Sequence, residues 1–137
     1  MFKAPVLFIS FVLFTSYTNA FPFKAFKCNV LDTVGVNKDG RLDDKNGWVH
    51  LYKGNEFIVD TETGRVLGKI INNFDVNYSP EVINKGSSNV AFKVINLYNK
   101  SYHDIDYLQI ETRFGYNPYP FHFYTGRGFV TGTCVGY

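Results

Sequence analysis

The chain has 137 residues, 45% hydrophobic and 18% aromatic, with 14 Lys and Arg against 12 Asp and Glu. A net charge of +2 spread without any basic run argues against a protein that binds nucleic acid by electrostatics alone. No segment approaches the roughly 18 apolar residues of a membrane-spanning helix, and no repeat or low-complexity linker marks a second domain.

Residues 1–20 read as a secretory signal. Lys3 supplies the positive end, residues 6–14 the apolar stretch, and Thr18-Asn19-Ala20 the small residues before cleavage. The remainder, 21–137, is expected to form one domain rich in Phe and Tyr, which suits β-structure with rings left over for a contact surface. Its two cysteines, Cys28 and Cys134, bracket it. On an oxidising route an even pair is expected to bond. The bond would close a loop of about 107 residues, contribute about 4–5 kcal/mol in the chain-entropy account, and hold the termini on adjacent strands.

In chain order, 28–36 reads as a first strand and 37–47 as a polar loop or poorly specified helix. Residues 48–52 form a short strand or helix end. Segments 56–60 and 65–71 alternate and are joined by Thr61-Glu62-Thr63-Gly64, a clear hairpin signal. Ser79-Pro80-Glu81 looks like a helix cap with Pro at the first helical position, stopped by Gly86. Residues 90–98 make the best central strand, and 105–114, 119–124 and 129–134 complete about six strands. The expected class is α+β around an antiparallel sheet, with a β-sandwich as the alternative.

Segment 35–46 imitates a calcium loop, with Asn37, Asp39, Gly40, Leu42 and Asp43 in register. Gly35 stands where the first carboxylate belongs and Asn46 where a bidentate Glu closes the shell. Losing those oxygens leaves too few for calcium, and a turn closed by Asn and Asp is the better reading. No metal or other cofactor is expected: the histidines, His50, His103 and His122, have no ligand spacing around them. Glu111 and Arg113, two apart on a strand, face the same way, and His122 on the next strand can join them. That trio allows acid–base chemistry on a phosphodiester, although an exposed ion pair beside a histidine explains it more simply.

The tripeptide Phe26-Lys27-Cys28 soon after the leader, the cysteine three residues from the end and the length in between form a recognisable layout. It resembles the secreted effector candidates of cereal powdery mildew fungi. The resemblance implies a fold like the fungal guanyl-specific ribonucleases of the ribonuclease T1 type, with a helix packed on a central antiparallel sheet. It also implies a disulfide joining the terminal strands. Catalytic residues are usually lost in that family, so a pseudo-ribonuclease without enzymatic activity is implied. Such proteins pass from haustoria into the plant cell cytoplasm and meet host proteins, in several cases nucleotide-binding leucine-rich-repeat receptors. Weak RNA binding is a further implied partner, with no membrane and a monomeric state when alone.

Of the ribonuclease residues, one matches: His122 stands twelve residues before Cys134, as the last catalytic His does. His50 lacks the Tyr two residues earlier, since Trp48 is there; Glu81 and Arg65 would need large shifts. Glu111 and Arg113 come too late in the chain, leaving His122, Glu111 and Arg113 as a vestigial cleft at most. An active ribonuclease and an adhesive surface protein are the alternatives. Asn99-Lys100-Ser101 is a glycosylation sequon, and Asn77-Tyr78-Ser79 a poorer one before Pro80. Asn117, Tyr119, Tyr124 and Arg127, around the final turns, are the expected interaction surface.

Overall fold

The computed structural model describes residues 22–45, 48–73, 78–98, 105–126 and 128–137. The expected leader, both sequon asparagines, His103 and Arg127 lie outside the described residues. The strands are β1 (Ala25–Val36), β2 (Leu42–Asp43), β3 (Glu56–Asp60), β4 (Val66–Gly68), β5 (Tyr78–Lys85), β6 (Phe92–Tyr98), β7 (Ile105–Ile110), β8 (Tyr119–Thr125) and β9 (Gly128–Gly136). Eight of them run in the order β4-β3-β1-β9-β8-β7-β6-β5, and β2 pairs with the far end of β1. Every pairing is antiparallel. The sheet curls into a half-barrel.

The first and last strands in sequence are neighbours near the middle of this sheet. Cys28 lies directly opposite Cys134 in the β1–β9 ladder, with their Cα atoms 4.0 Å apart, and the two are disulfide-bonded. Both sulfurs belong to the buried core. Further along, the register slips between Val30 and Asp32. That bulge moves the inward positions of β1 from Phe26, Cys28 and Val30 to Thr33 and Gly35. Beside the slip, a Cβ on Gly132 would fall 2.0 Å from the Asn29 carbonyl oxygen and 2.7 Å from the Phe121 ring. Only glycine lets the two strands approach this closely.

Alternation along each strand builds the core on the inner face. Phe26 packs on Phe92 with centroids 5.4 Å apart, and Phe57 meets Phe121 edge to face at 5.3 Å. Curling brings the sheet's two ends together: a Cβ on Gly64, in the β3–β4 turn, would meet Val94 of β6 at 2.8 Å and Val82 of β5 at 3.3 Å. The edge of β4 is covered by Asn73, whose buried amide accepts from the Val66 N–H at 2.7 Å and donates to the Gly64 carbonyl at 3.2 Å. A side-chain amide thus takes the place of a further strand.

Two expectations need correction. The ribonuclease T1-like, helix-on-sheet α+β fold is not what forms: the only helical piece among the described residues is a 3-10 turn over Trp48–Tyr52. A helix would be needed to cover a flat sheet, whereas here the sheet's own curl covers its aromatic face. The helix expected at Ser79-Pro80-Glu81 is strand β5. Tyr78, Pro80 and Val82 turn inward while Ser79, Glu81 and Ile83 face out, and this period of two overrides the local capping cue. Pro80 is tolerated because β5 is an edge strand, where a missing N–H costs least.

The calcium-like segment, described through residue 45 with Asn46 outside the described residues, is a turn joining β1 to β2. The Asn37 side-chain oxygen accepts from the N–H groups of Asp39 and Arg41, at 3.0 and 2.9 Å, so the backbone itself uses it. The hairpin between β3 and β4 forms where expected. The Asp60 carboxylate accepts from the Thr63 N–H at 2.7 Å and the Glu62 N–H at 3.0 Å, and Gly64 takes φ 71°.

Replacing both Cys28 and Cys134 by Ala should lower unfolding free energy by about 2–5 kcal/mol in urea titration, without changing the far-ultraviolet spectrum of what remains folded. Gly132→Ala should cost about 1–3 kcal/mol or more, since the clash is with backbone that cannot rotate away. A wild-type midpoint for Gly132→Ala would contradict the close approach of β1 and β9.

Candidate functional site

Outward-facing residues of β6–β9 form a second layer, in which Gln109 is buried among half-buried and exposed neighbours. On β7 and just beyond it, Tyr107, Gln109, Glu111 and Arg113 are linked head to tail. The Tyr107 hydroxyl donates to Gln109 Oε1 at 2.7 Å, and the Gln109 amide donates to Glu111 Oε1. Arg113 Nε donates to Glu111 Oε2 at 2.6 Å, with Nη2 3.3 Å from Oε1. The intervening residue makes this possible. Thr112 is buried and donates its hydroxyl to the Val90 carbonyl at 2.9 Å, pinning the chain so that Glu111 and Arg113 flank it.

His122 stands beside this row, opposite Gln109 on β7 and Thr131 on β9, its ring 6.2 Å from Tyr107. Glu111, Arg113 and His122 are therefore gathered on one face, although β7 ends at Ile110, before Glu111 and Arg113. That face is the outer surface of the curl, and the two cavities on the inner side are lined by other residues. The hydrogen bond from Arg113 holds the Glu111 carboxyl below the ordinary glutamate range; partial burial opposes this, while the Gln109 bond and the charges of Arg113 and His122 add to it. Burial, with the charge of Glu111, pushes the Tyr107 phenol up, so it stays a neutral donor. A carboxylate already accepting from two side chains and kept ionised makes a poor general base. It makes a well-oriented recognition element.

An apolar band adjoins the row. Tyr124 is paired across strands with Tyr107 on one side and Phe129 on the other, and the Tyr124 and Phe129 rings lie 5.2 Å apart. Leu97 and Ile105 are opposite each other at the end of the band, both exposed. At the other end of the polar row, the Arg113 guanidinium lies 4.9 Å over the Phe114 ring. Phe114 has φ 70° and is 67% exposed, an unusual backbone for a bulky residue that gains nothing from burial.

The four residues expected as an interaction surface are divided. Asn117 is exposed in the β7–β8 loop, and Tyr124 belongs to the outer band. Tyr119 is on the inner side, half-buried against Phe23 and Phe26 at 6.2 and 6.1 Å. Arg127 is outside the described residues. Phe114 opens the aromatic stretch 114–124 expected as a contact surface, whereas Phe129, Gln109 and Tyr107 carry no motif, and period-two counting along β7 and β9 is the signal available for them.

Because its folded pKa is depressed, Glu111 contributes stability that is fully present above the ordinary glutamate pKa and lost as pH falls through the folded value. Arg113→Gln should raise the Glu111 titration midpoint followed by carbon-13 NMR, and should destabilise the fold at neutral pH but not at strongly acidic pH. An unmoved midpoint would refute the pairing.

No family model, curated protein or solved structure matches this chain.

Proposed function

We propose that the chain is a secreted, non-catalytic binding domain that acts as an effector inside plant cells. It contacts a host protein through the outer face of β6–β9 and is open to recognition by a nucleotide-binding leucine-rich-repeat receptor. The leader, the Phe26-Lys27-Cys28 tripeptide and the paired terminal cysteines support secretion and the effector layout. The ribonuclease scaffold no longer forms part of this reading. Its place is taken by a curled β-sheet whose outer side is rigid and chemically mixed.

One observation carries the proposal: the exposed Tyr124–Phe129 ring pair, mounted on paired strands and continuous with the Tyr107-to-Arg113 row. Aromatic rings and arginine held rigidly beside hydrogen-bonding groups are the composition of protein-binding hot spots, and little entropy remains to be lost on docking. Paired strands restrain the backbone beneath the rings, so a partner meets a preformed shape.

The test is expression of the leader-free chain in plant cells with a proximity-labelling tag. Tyr124→Ala combined with Phe129→Ala should cut recovery of the labelled partner by about tenfold or more at equal protein abundance. Undiminished recovery would place the contact elsewhere. In parallel, the purified domain should show no turnover of single-stranded RNA above that of His122→Ala; turnover dependent on His122 would favour the enzyme instead.

A further inference from the structure

We infer that the mouth of the half-barrel binds a neutral, planar molecule through a lactam edge, a cis amide held in a ring, that pairs with the carboxamide of Asn96. The inner face changes character along its length. Successive cross-strand pairs of β6 and β7 are Phe92 with Ile110, Val94 with Leu108, and then Asn96 with Asp106. The next inward residue of β6, Tyr98, is paired with Tyr78 of β5, their rings 4.8 Å apart. The apolar core thus gives way to polar groups and aromatic rings at one end.

Two cavities occupy that end, and Phe123 is among the residues lining both. The larger, about 350 Å³, is lined also by Tyr52, Tyr78 and Tyr98. That volume falls in the range of small-molecule sites, and barrel mouths are a usual place for them. The smaller, about 20 Å³, reaches Asn73 and Asn96. These two asparagines are comparably buried, 6% and 4% exposed, but they differ in bonding. Asn73 has both amide atoms engaged, by the backbone of Val66 and Gly64. Neither Nδ2 nor Oδ1 of Asn96 has a hydrogen-bond partner. A buried carboxamide unpaired at both atoms is rare, because its desolvation goes uncompensated.

Asn96 itself selects the class. Its donor and acceptor stand side by side in one plane, and a second amide in the cis arrangement meets both at once. The ligand N–H then donates to Oδ1 while the ligand carbonyl accepts from Nδ2. A carboxylate supplies only acceptors and an ammonium only donors, so either leaves one atom of Asn96 unmet. A lactam holds its amide cis, and its flat body suits a cavity lined by Tyr and Phe rings. With that body in the larger cavity, the amide edge enters the smaller one. This site is on the opposite face of the sheet from the proposed protein-binding band and does not depend on it.

The test uses the secreted, disulfide-bonded protein and three compounds sharing one bicyclic body. Carbostyril is the lactam, its N-methyl derivative lacks the donor, and quinoline lacks both N–H and carbonyl. Calorimetry should show carbostyril binding about tenfold more tightly than either of the others. Carbostyril should also move the side-chain amide signal of Asn96 in heteronuclear NMR spectra of the wild-type protein. Asn96→Leu keeps the branched shape and removes the unpaired amide. The variant should be at least as heat-stable as wild type, yet bind carbostyril about tenfold more weakly and no longer prefer it to the N-methyl compound. Equal binding of all three compounds, or an unmoved Asn96 signal in the carbostyril complex, would each overturn the inference on the wild-type protein alone. So would no binding of carbostyril at millimolar concentration, which would leave Asn96 to solvent, or undiminished binding by Asn96→Leu.

Discussion

Pairing of β1 with β9 is the constraint on which the other features depend. It joins the two ends of the domain in sequence and sits near the centre of the strand order, so both flanks of the sheet are built outward from it. The Cys28–Cys134 bond locks the register at one point, and Gly132 allows the strands to close beside the bulge. Closing a loop between residues separated by 106 positions is entropically costly for a chain whose contacts are mostly non-local. A covalent link lowers that cost by restricting the unfolded ensemble rather than by adding native contacts.

With that pair in place, the curl follows from side-chain size on the inner face. Phe26, Phe57, Phe92 and Phe121 are too large to be covered by one flat layer, and wrapping the sheet around them brings the Gly64 turn against Val82 and Val94. The arrangement produces two chemically distinct surfaces from one set of strands. The outside carries the Tyr107-to-Arg113 row and the Tyr124–Phe129 pair, and the inside ends in the polar mouth around Asn96. Strand alternation alone assigns each residue to one or the other, so a change at Tyr124 leaves the mouth untouched.

Much of this was legible in the sequence where a local signal and the tertiary outcome agree. Asp60 and Gly64 announce the β3–β4 turn because the carboxylate and the positive φ act within four residues. The two cysteines announce the β1–β9 pairing through compartment and number. Ser79-Pro80-Glu81 misled because capping chemistry is local, while the alternation of Tyr78, Pro80 and Val82 gains its energy from burial that exists only in the folded sheet. Tyr119 and Tyr124 are an odd number apart on one strand, which places them on opposite faces, so they could never have formed a single surface. Glu111 and Arg113 lie just past the end of β7 and share a face with His122 through the buried Thr112 between them, and no counting rule says whether a face is concave. The unpaired amide of Asn96 carries no motif at all; it becomes visible only when its neighbours on β7 are known.

The most direct test of the curled all-β sheet is an isotope-edited NOESY spectrum of the oxidised domain, read together with carbon secondary shifts across residues 78–85. The account predicts cross-peaks from the Gly64 α protons to the methyl groups of Val94 and Val82, and strand-type shifts through Pro80. Helical shifts over that segment, or no contact between Gly64 and Val94, would contradict it.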